Sequence, residues 1–380
     1  MFDFISPQTL QFLQTGVTFF VILSILVFIH ELGHFLTAKK LGMRVEEFGF
    51  GLPPRIWGKK VGETIYSINW LPIGGFVRIA GEDMMANGDE TDTIGESRKT
   101  LLTKLTAKQK REFFWARSKL HRTIVLLAGV TMNFLLAVLV ISYIFTQGVF
   151  VPTDQVHVEK VTENSPASEA GLMENDVIIQ FGDTRITNTE ALIKITSEKG
   201  NVPTPVTIVR NGEELVLTLT PRKDPPEGEG PLGIVITNLE EKKYAWYEAP
   251  FYGMIEAVKL SWFMISTLAA MVWRLITFQG GQVEVAGPLG IAQATGQAIK
   301  EGYMAVLQLA GLLSLNLAIF NALPIPALDG GRLFFVLFED ILGKRIKPKA
   351  EAAVHQIGML FLLSLVVLVT INDILRIVRG

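Results

Sequence analysis

His30, Glu31 and His34 are the residues of this chain whose types and spacing most clearly carry chemistry. In Phe28-Ile-His-Glu-Leu-Gly-His-Phe35 the two imidazoles are four residues apart, so on a helix they lie one turn above each other on one face. Both can then reach one cation, and the glutamate beside the first can hold a water against it, the H-E-x-x-H arrangement of zinc hydrolases. The motif sits in an apolar run, Val17 to Ala38, that has no other ionisable residue. Counting back from Lys39 at ~1.5 Å per residue puts His34 about 7 Å and His30 about 13 Å inside the apolar boundary. Ionisable groups at such depth are expensive and normally mark function.

Hydrolytic zinc typically takes three protein N or O ligands and leaves one position for water. Asp329 is the natural third ligand, in Asn321-Ala-Leu-Pro-Ile-Pro-Ala-Leu-Asp-Gly330 at the end of another apolar stretch. Pro324 and Pro326 stop that helix, and the freed backbone near Asp329 must be buried in protein or line a wet cavity. Four spans are expected: Val17–Ala38, about Thr123–Phe145, Met304–Leu323 and about Ile357–Ile371. Lys39, Lys40, Arg44, Arg117, Lys119 and Arg122 flank the first two, and Arg332, Lys344, Arg345, Lys347 and Lys349 join the last two. The positive-inside rule places these loops in the cytoplasm, although Arg376 and Arg379 oppose it. His30, His34 and Asp329 then meet at one depth near the cytoplasmic side, with both termini outside.

The 380 residues are 49% apolar, with a formal charge of −2 and no cysteine. That balance fits a membrane protein with soluble parts and argues against a nucleic-acid partner. The missing cysteine excludes thiolate ligands, disulfides and a cysteine nucleophile. The first apolar run lacks a basic leader and a cleavage site, so it is expected to be retained.

The expected architecture is a polytopic α-helical membrane protein with about four transmembrane helices, a membrane-associated β-hairpin or loop region and one inserted α+β domain. Residues 1–38 hold the first span. Residues 39–120 form a cytoplasmic β-rich loop and a polar insertion, acidic at Asp89–Glu96 and basic around Lys104–Arg117. Here Thr64–Trp70 alternates like a strand and runs into Leu71-Pro-Ile-Gly-Gly-Phe-Val-Arg78, whose glycines allow a tight bend beside the metal. Residues 121–150 hold the second span, with Asn133 as its one amide, and 151–240 the inserted domain of short β-branched strands. In 241–300 the clean apolar stretch Leu260–Trp273 is too short for an unstrained span, so an amphipathic interfacial helix is expected, with a fifth span as the alternative. Residues 301–335 and 336–380 hold the last two spans.

These features together resemble the site-2 proteases, the zinc metalloproteases of regulated intramembrane proteolysis, and most of all their bacterial members with one PDZ domain. The resemblance covers nearly the whole chain: His30-Glu-x-x-His34, Gly49-Phe-Gly51, Pro72-Ile-Gly-Gly-Phe76 and Asn321-x-x-Pro-x-Pro-x-Leu-Asp-Gly330. Within 151–240, Asn164-Ser-Pro-Ala-Ser-Glu-Ala-Gly-Leu172, Asn175-Asp-Val-Ile178 and the turn Asn211-Gly212 resemble a bacterial PDZ domain, with Leu232-Gly233-Ile234 as its peptide-binding loop. The resemblance implies one Zn2+ per chain on His30, His34 and Asp329, with Glu31 as general base. It implies that Asn316 and Asn321, with Gly74, Gly75 and Phe76 of the hairpin, hold an unwound substrate backbone whose polar groups have little water around them. The implied partners are single-span membrane proteins such as anti-sigma factors or signal-peptide remnants, peptide or protein ends at the PDZ domain, and the lipid bilayer. Val130 departs from the family, which usually has proline after the glycine of Ala128-Gly-Val-Thr-Met-Asn133.

Two other classes compete. A non-proteolytic zinc-binding scaffold or chaperone that holds partners through its PDZ domain would predict a missing base, yet Glu31 is present. A metal-ion transporter would predict further ionisable residues along a path through the spans, which offer almost none.

Overall fold

A computed structural model describes residues 6–82, 106, 111–277, 287–342 and 348–379. The acidic run 89–96, residues 104, 105 and 107–110 of the basic stretch and the basic residues 344–347 lie outside the described residues. The chain forms two compact units, Met1–Ile144 with Trp246–Gly380, and Phe145–Ala245.

The first unit is built on α1 (Pro7–Lys40), whose start is set by Ser6, accepting the Thr9 N–H, and by proline in the first turn. Lys39 and Lys40 in the last turn complement the carbonyl end of the helix dipole. Its 34 residues span about 51 Å, and its buried positions (Ile22, Ser24, Leu26, His30, Gly33, His34, Phe35, Ala38) gather in the C-terminal half.

β1 (Val45–Val61) and β2 (Thr64–Ile79) pair twice over, because each strand bends. Phe48 lies opposite both Tyr66 and Val77, and Gly49 opposite both Ser67 and Phe76, so the hairpin doubles into four antiparallel segments with Val45–Phe50 inside. A core formed by Phe35 and Ala38 of α1, Val45, Phe48 and Ile79 of the hairpin, Val125 and Leu126 of α2 (Lys119–Gln147) and Val336 of α8 (Asp329–Leu342) joins these elements under the histidines. Phe35 stacks on Phe48 with ring centroids 4.5 Å apart.

The remaining helices of this unit are α5 (Ala249–Ile276), α6 (Pro288–Glu301), α7 (Tyr303–Ala322) and α9 (Pro348–Arg379). Among the described residues five helices are long and apolar enough to cross a membrane: α1, α2, α5, α7 and α9. Four of these are the spans expected from the sequence, and α5 is a fifth candidate. Glu256 and Lys259, which interrupt its sequence, sit one turn apart with Nζ and Oε2 at 3.7 Å, so the charges satisfy each other without breaking the helix. The apolar stretch from 260 to 273 is thus only part of a 28-residue helix.

Arg122 is not a free loop charge but a buried group paired with Glu339 of α8 at 2.7 Å, with side chains 1% and 6% exposed. Arg332 likewise pairs with Glu82.

The second unit is a six-stranded sheet in the order β7-β6-β4-β3-β8, with β5 (Thr184–Arg185) beside β4. Its strands are β3 (Val149–Val161), β4 (Val177–Phe181), β6 (Thr204–Arg210), β7 (Glu213–Leu219) and β8 (Ile234–Lys242), with the short α3 (Pro166–Glu169) and α4 (Thr189–Glu198). Val156, Val158, Ile178, Phe181, Leu192, Val206, Ile208 and Leu219 form its core. The β6–β7 hairpin turns at Asn211 and Gly212, both with positive φ (53° and 87°), as a two-residue primed turn requires. β8 is the last strand of the order, with β3 as its one strand neighbour among the described residues.

Candidate metal centre

Three elements bring the predicted ligands together. α1 presents His30 and His34 one turn apart, and a loop after α7 returns Asp329 as the first residue of α8. Asp329 Oδ2 lies 2.8 Å from His30 Nε2 and 3.1 Å from His34 Nε2, and the two imidazole nitrogens are 3.1 Å apart. A tetrahedral cation with bonds of 2.0–2.1 Å holds its ligands about 3.3–3.4 Å apart. The three donors therefore fit one metal if each opens by a few tenths of an ångström.

The surroundings fit a metal as well. His34 donates Nδ1–H to Val125 O at 2.8 Å, which leaves the Nε2 lone pair for a cation. His30 Nδ1 lies 3.3 Å from the amide of Asn133, a side chain with no exposure whose Oδ1 has no partner among the described residues. A half-turn of that amide gives Oδ1 the His30 Nδ1–H and puts both imidazoles in the same tautomer. Space comes from Gly129 of α2, where a Cβ would lie 2.4 Å from His34 Nε2 and 2.7 Å from His30 Nε2. From the sequence Asn133 is only the one amide of its span, and Gly129 carries no role. Their signal was present, because both face the first span at four-residue spacing.

The hairpin reaches the same place. Val77 N–H donates to Glu31 Oε2 at 3.1 Å, so the base candidate is anchored by β2. Gly74 and Gly75 are buried against α1: Gly74 donates its N–H to Ser24 Oγ, and a Cβ on it would meet Val27 at 2.8 Å. Ser24 in turn donates to Pro72 O at 2.8 Å. These glycines let the strand backbone approach the helix closely, and Phe76, half-buried, lies against Gly49.

Asn316 and Asn321 are both half-buried on α7. Asn321 donates to Leu317 O of its own helix at 3.0 Å, and Asn316 has no partner among the described residues. α7 is tied to α2 by Ser314, which donates to Asn133 O at 2.7 Å. In the second unit Leu232 is a core side chain, and Gly233 (φ 70°) donates its N–H to Gly230 O, closing a turn rather than facing outward.

An H-E-x-x-H helix completed by an aspartate from another apolar helix's end defines a membrane-embedded metallohydrolase. Comparison with known proteins agrees. The family model described as Peptidase family M50 matches residues 18–365, and the chain belongs to that family. Zinc metalloprotease RasP of Oceanobacillus iheyensis is 30% identical, over 96% of this chain and 99% of its own length. Regulator of sigma-W protease RasP of Bacillus subtilis is 30% identical over the same shares. Zinc metalloprotease RasP of Geobacillus kaustophilus is 32% identical, over 95% and 98%. The PDZ domain of an SdrC-like protein from Listeria monocytogenes covers 23% of this chain and 94% of its own, at 18% identity and a TM-score of 0.21. The chain is thus a multi-pass membrane protein and a zinc metalloprotease.

Proposed function

We propose that this protease hydrolyses peptide bonds within transmembrane segments of single-span membrane proteins, such as anti-sigma factors or signal-peptide remnants. The observation that carries the reading is the meeting of His30, His34 and Asp329 within 3.1 Å, with Glu31 beside them on α1. Zinc, when bound, supplies a Lewis acid and brings the pKa of a water down to about 7. His30 Nε2, His34 Nε2 and an Asp329 oxygen would hold it. Glu31 takes a proton from the attacking water at its carboxylate and returns it to the leaving amine, with Val77 N–H keeping the carboxylate aimed. A substrate helix must unwind to be cut, and Asn316 and Asn321 offer amides to its freed backbone groups. The strand segment Gly74–Phe76, beside Glu31, guides the same backbone.

Four helices cross the membrane in this reading, and α5 lies in the interface. Gly253 near its start packs on Ser142, towards the end of α2, and the next helix, α6, begins against Asp373, towards the end of α9. Ser142 and Asp373 both lie towards the ends of their helices away from the residues that contact the metal ligands and the Asp329 loop. The basic loops then face the cytoplasm with the active site. The PDZ-like unit and both termini are extracytoplasmic, with the open edge of β8 as the place where a peptide strand adds.

The test is Glu31→Gln, co-expressed with a tagged single-span substrate. Cleaved fragments with the wild type, only the full-length band with the variant, and zinc bound in both are expected. Equal full-length bands with zinc bound in both would favour the scaffold.

A further inference from the structure

We infer that His355 of α9 is a positioning residue for the metal centre, holding the loop that delivers Asp329. The inference rests on His30, His34 and Asp329 being the metal ligands. Ala327, two residues before Asp329, has φ 76°, a left-handed conformation that an L side chain rarely adopts. It is not glycine, so something outside the residue must hold it there. The Ala327 N–H donates to His355 Nδ1 at 2.8 Å, across 28 residues of sequence. One turn further along α9, Gly358 lies so close to Pro326 that a Cβ would stand 2.3 Å from the Pro326 Cβ. The ring of His355 is itself held by Phe335 of α8, with centroids 5.5 Å apart.

These contacts make α9 a clamp on both residues that precede Leu328 and Asp329. After the clamp the chain winds directly into α8: Leu328 donates to Ile325 O at 3.2 Å and Gly331 to Leu328 O at 3.1 Å. With so short a path, a change in the peptide at 327 shifts the carboxylate at 329. His355 also lines a cavity of about 270 Å³ with Glu82, Arg332, Glu351 and Ala352. It touches no ligand, so its effect must pass through the loop.

The experiment measures metal affinity in purified, detergent-solubilised full-length protein, by zinc competition with a chelator and by the visible spectrum of the cobalt-substituted protein. His355→Leu removes the acceptor and keeps the bulk. It should weaken zinc binding by about 10- to 100-fold, the range for supports of metal ligands, and change the cobalt spectrum. His355→Asn, whose Oδ1 can stand where Nδ1 stands, should stay within about threefold of wild type by the same scale. Adding Ala327→Gly to His355→Leu should recover most of the loss, since glycine adopts the positive φ unaided. Wild-type affinity and spectrum in His355→Leu, or equal loss in His355→Asn and His355→Leu, would overturn the inference. If His355→Leu does not fold, His355→Gln replaces it: its acceptor is displaced from the Nδ1 position, so it should lose affinity where Asn keeps it, and equal affinities would reject the clamp. Absence of zinc from the wild type would instead reject the metal site itself.

Discussion

At position 129 a methyl group would occupy the space in which the two imidazole nitrogens converge, 2.4 Å from one and 2.7 Å from the other. Gly129→Ala should strengthen helix α2 by up to ~1 kcal/mol in intrinsic propensity. It should nevertheless cost most of the bound zinc, because the rings cannot both keep their positions. Metal analysis alongside a thermal melt separates the two effects, and full zinc content in the variant would contradict this use of the glycine. Asn133 is tested at the same scale. Asn133→Leu leaves His30 Nδ1–H without an acceptor and should weaken zinc binding by roughly 10- to 100-fold, whereas Asn133→Asp keeps one and should retain the metal. Equal affinity in both variants, measured by chelator competition, would show that the amide does not hold His30.

Helices α2 and α8 are joined beneath the site by one buried ion pair, Arg122 with Glu339. Removing one partner breaks a buried ion pair, at a cost of about 3–5 kcal/mol. Glu339→Ala should therefore unfold at markedly lower denaturant, while Arg122→Met combined with Glu339→Leu should regain much of the loss. If the double variant is no more stable than the single one, the pair is not the joint between these helices. Sequence patterning read these elements unevenly. The apolar runs of α1, α2, α7 and α9 stand out because lipid demands about 20 apolar residues, and the H-E-x-x-H spacing declares its own face. The ends of α5 did not show, since Glu256 and Lys259 look like interruptions until they are seen to pair. The bent, doubly paired hairpin was equally hidden, because strand alternation carries no record of which segment folds back on which. Asp329 was legible from its motif, but the His355 contact that braces its loop joins positions 28 apart and has no local signature.

The whole molecule lacks cysteine, so single introduced cysteines report topology without background. With α5 in the interface, cysteines at Tyr252 and Thr277 should both label from the extracytoplasmic side. Labelling from opposite sides would make α5 a fifth crossing. Deleting residues 153–240 should let substrates with bulky outer domains be cut if the inserted unit filters by size, and unchanged discrimination would reject that role. Composition and charge sufficed to read a membrane protein with an inserted β-rich unit. They could not show that Arg122 and Arg332, counted among the orienting charges, are each paired with a carboxylate, Arg122 in the interior. The joining of α1 and α8 in one centre is tested most directly by zinc stoichiometry and X-ray absorption on purified protein, with and without Asp329→Ala. One zinc per chain bound through two imidazoles and oxygen is expected in the wild type, with the metal largely lost in the variant. Full zinc occupancy with an unchanged spectrum in Asp329→Ala would contradict the split site.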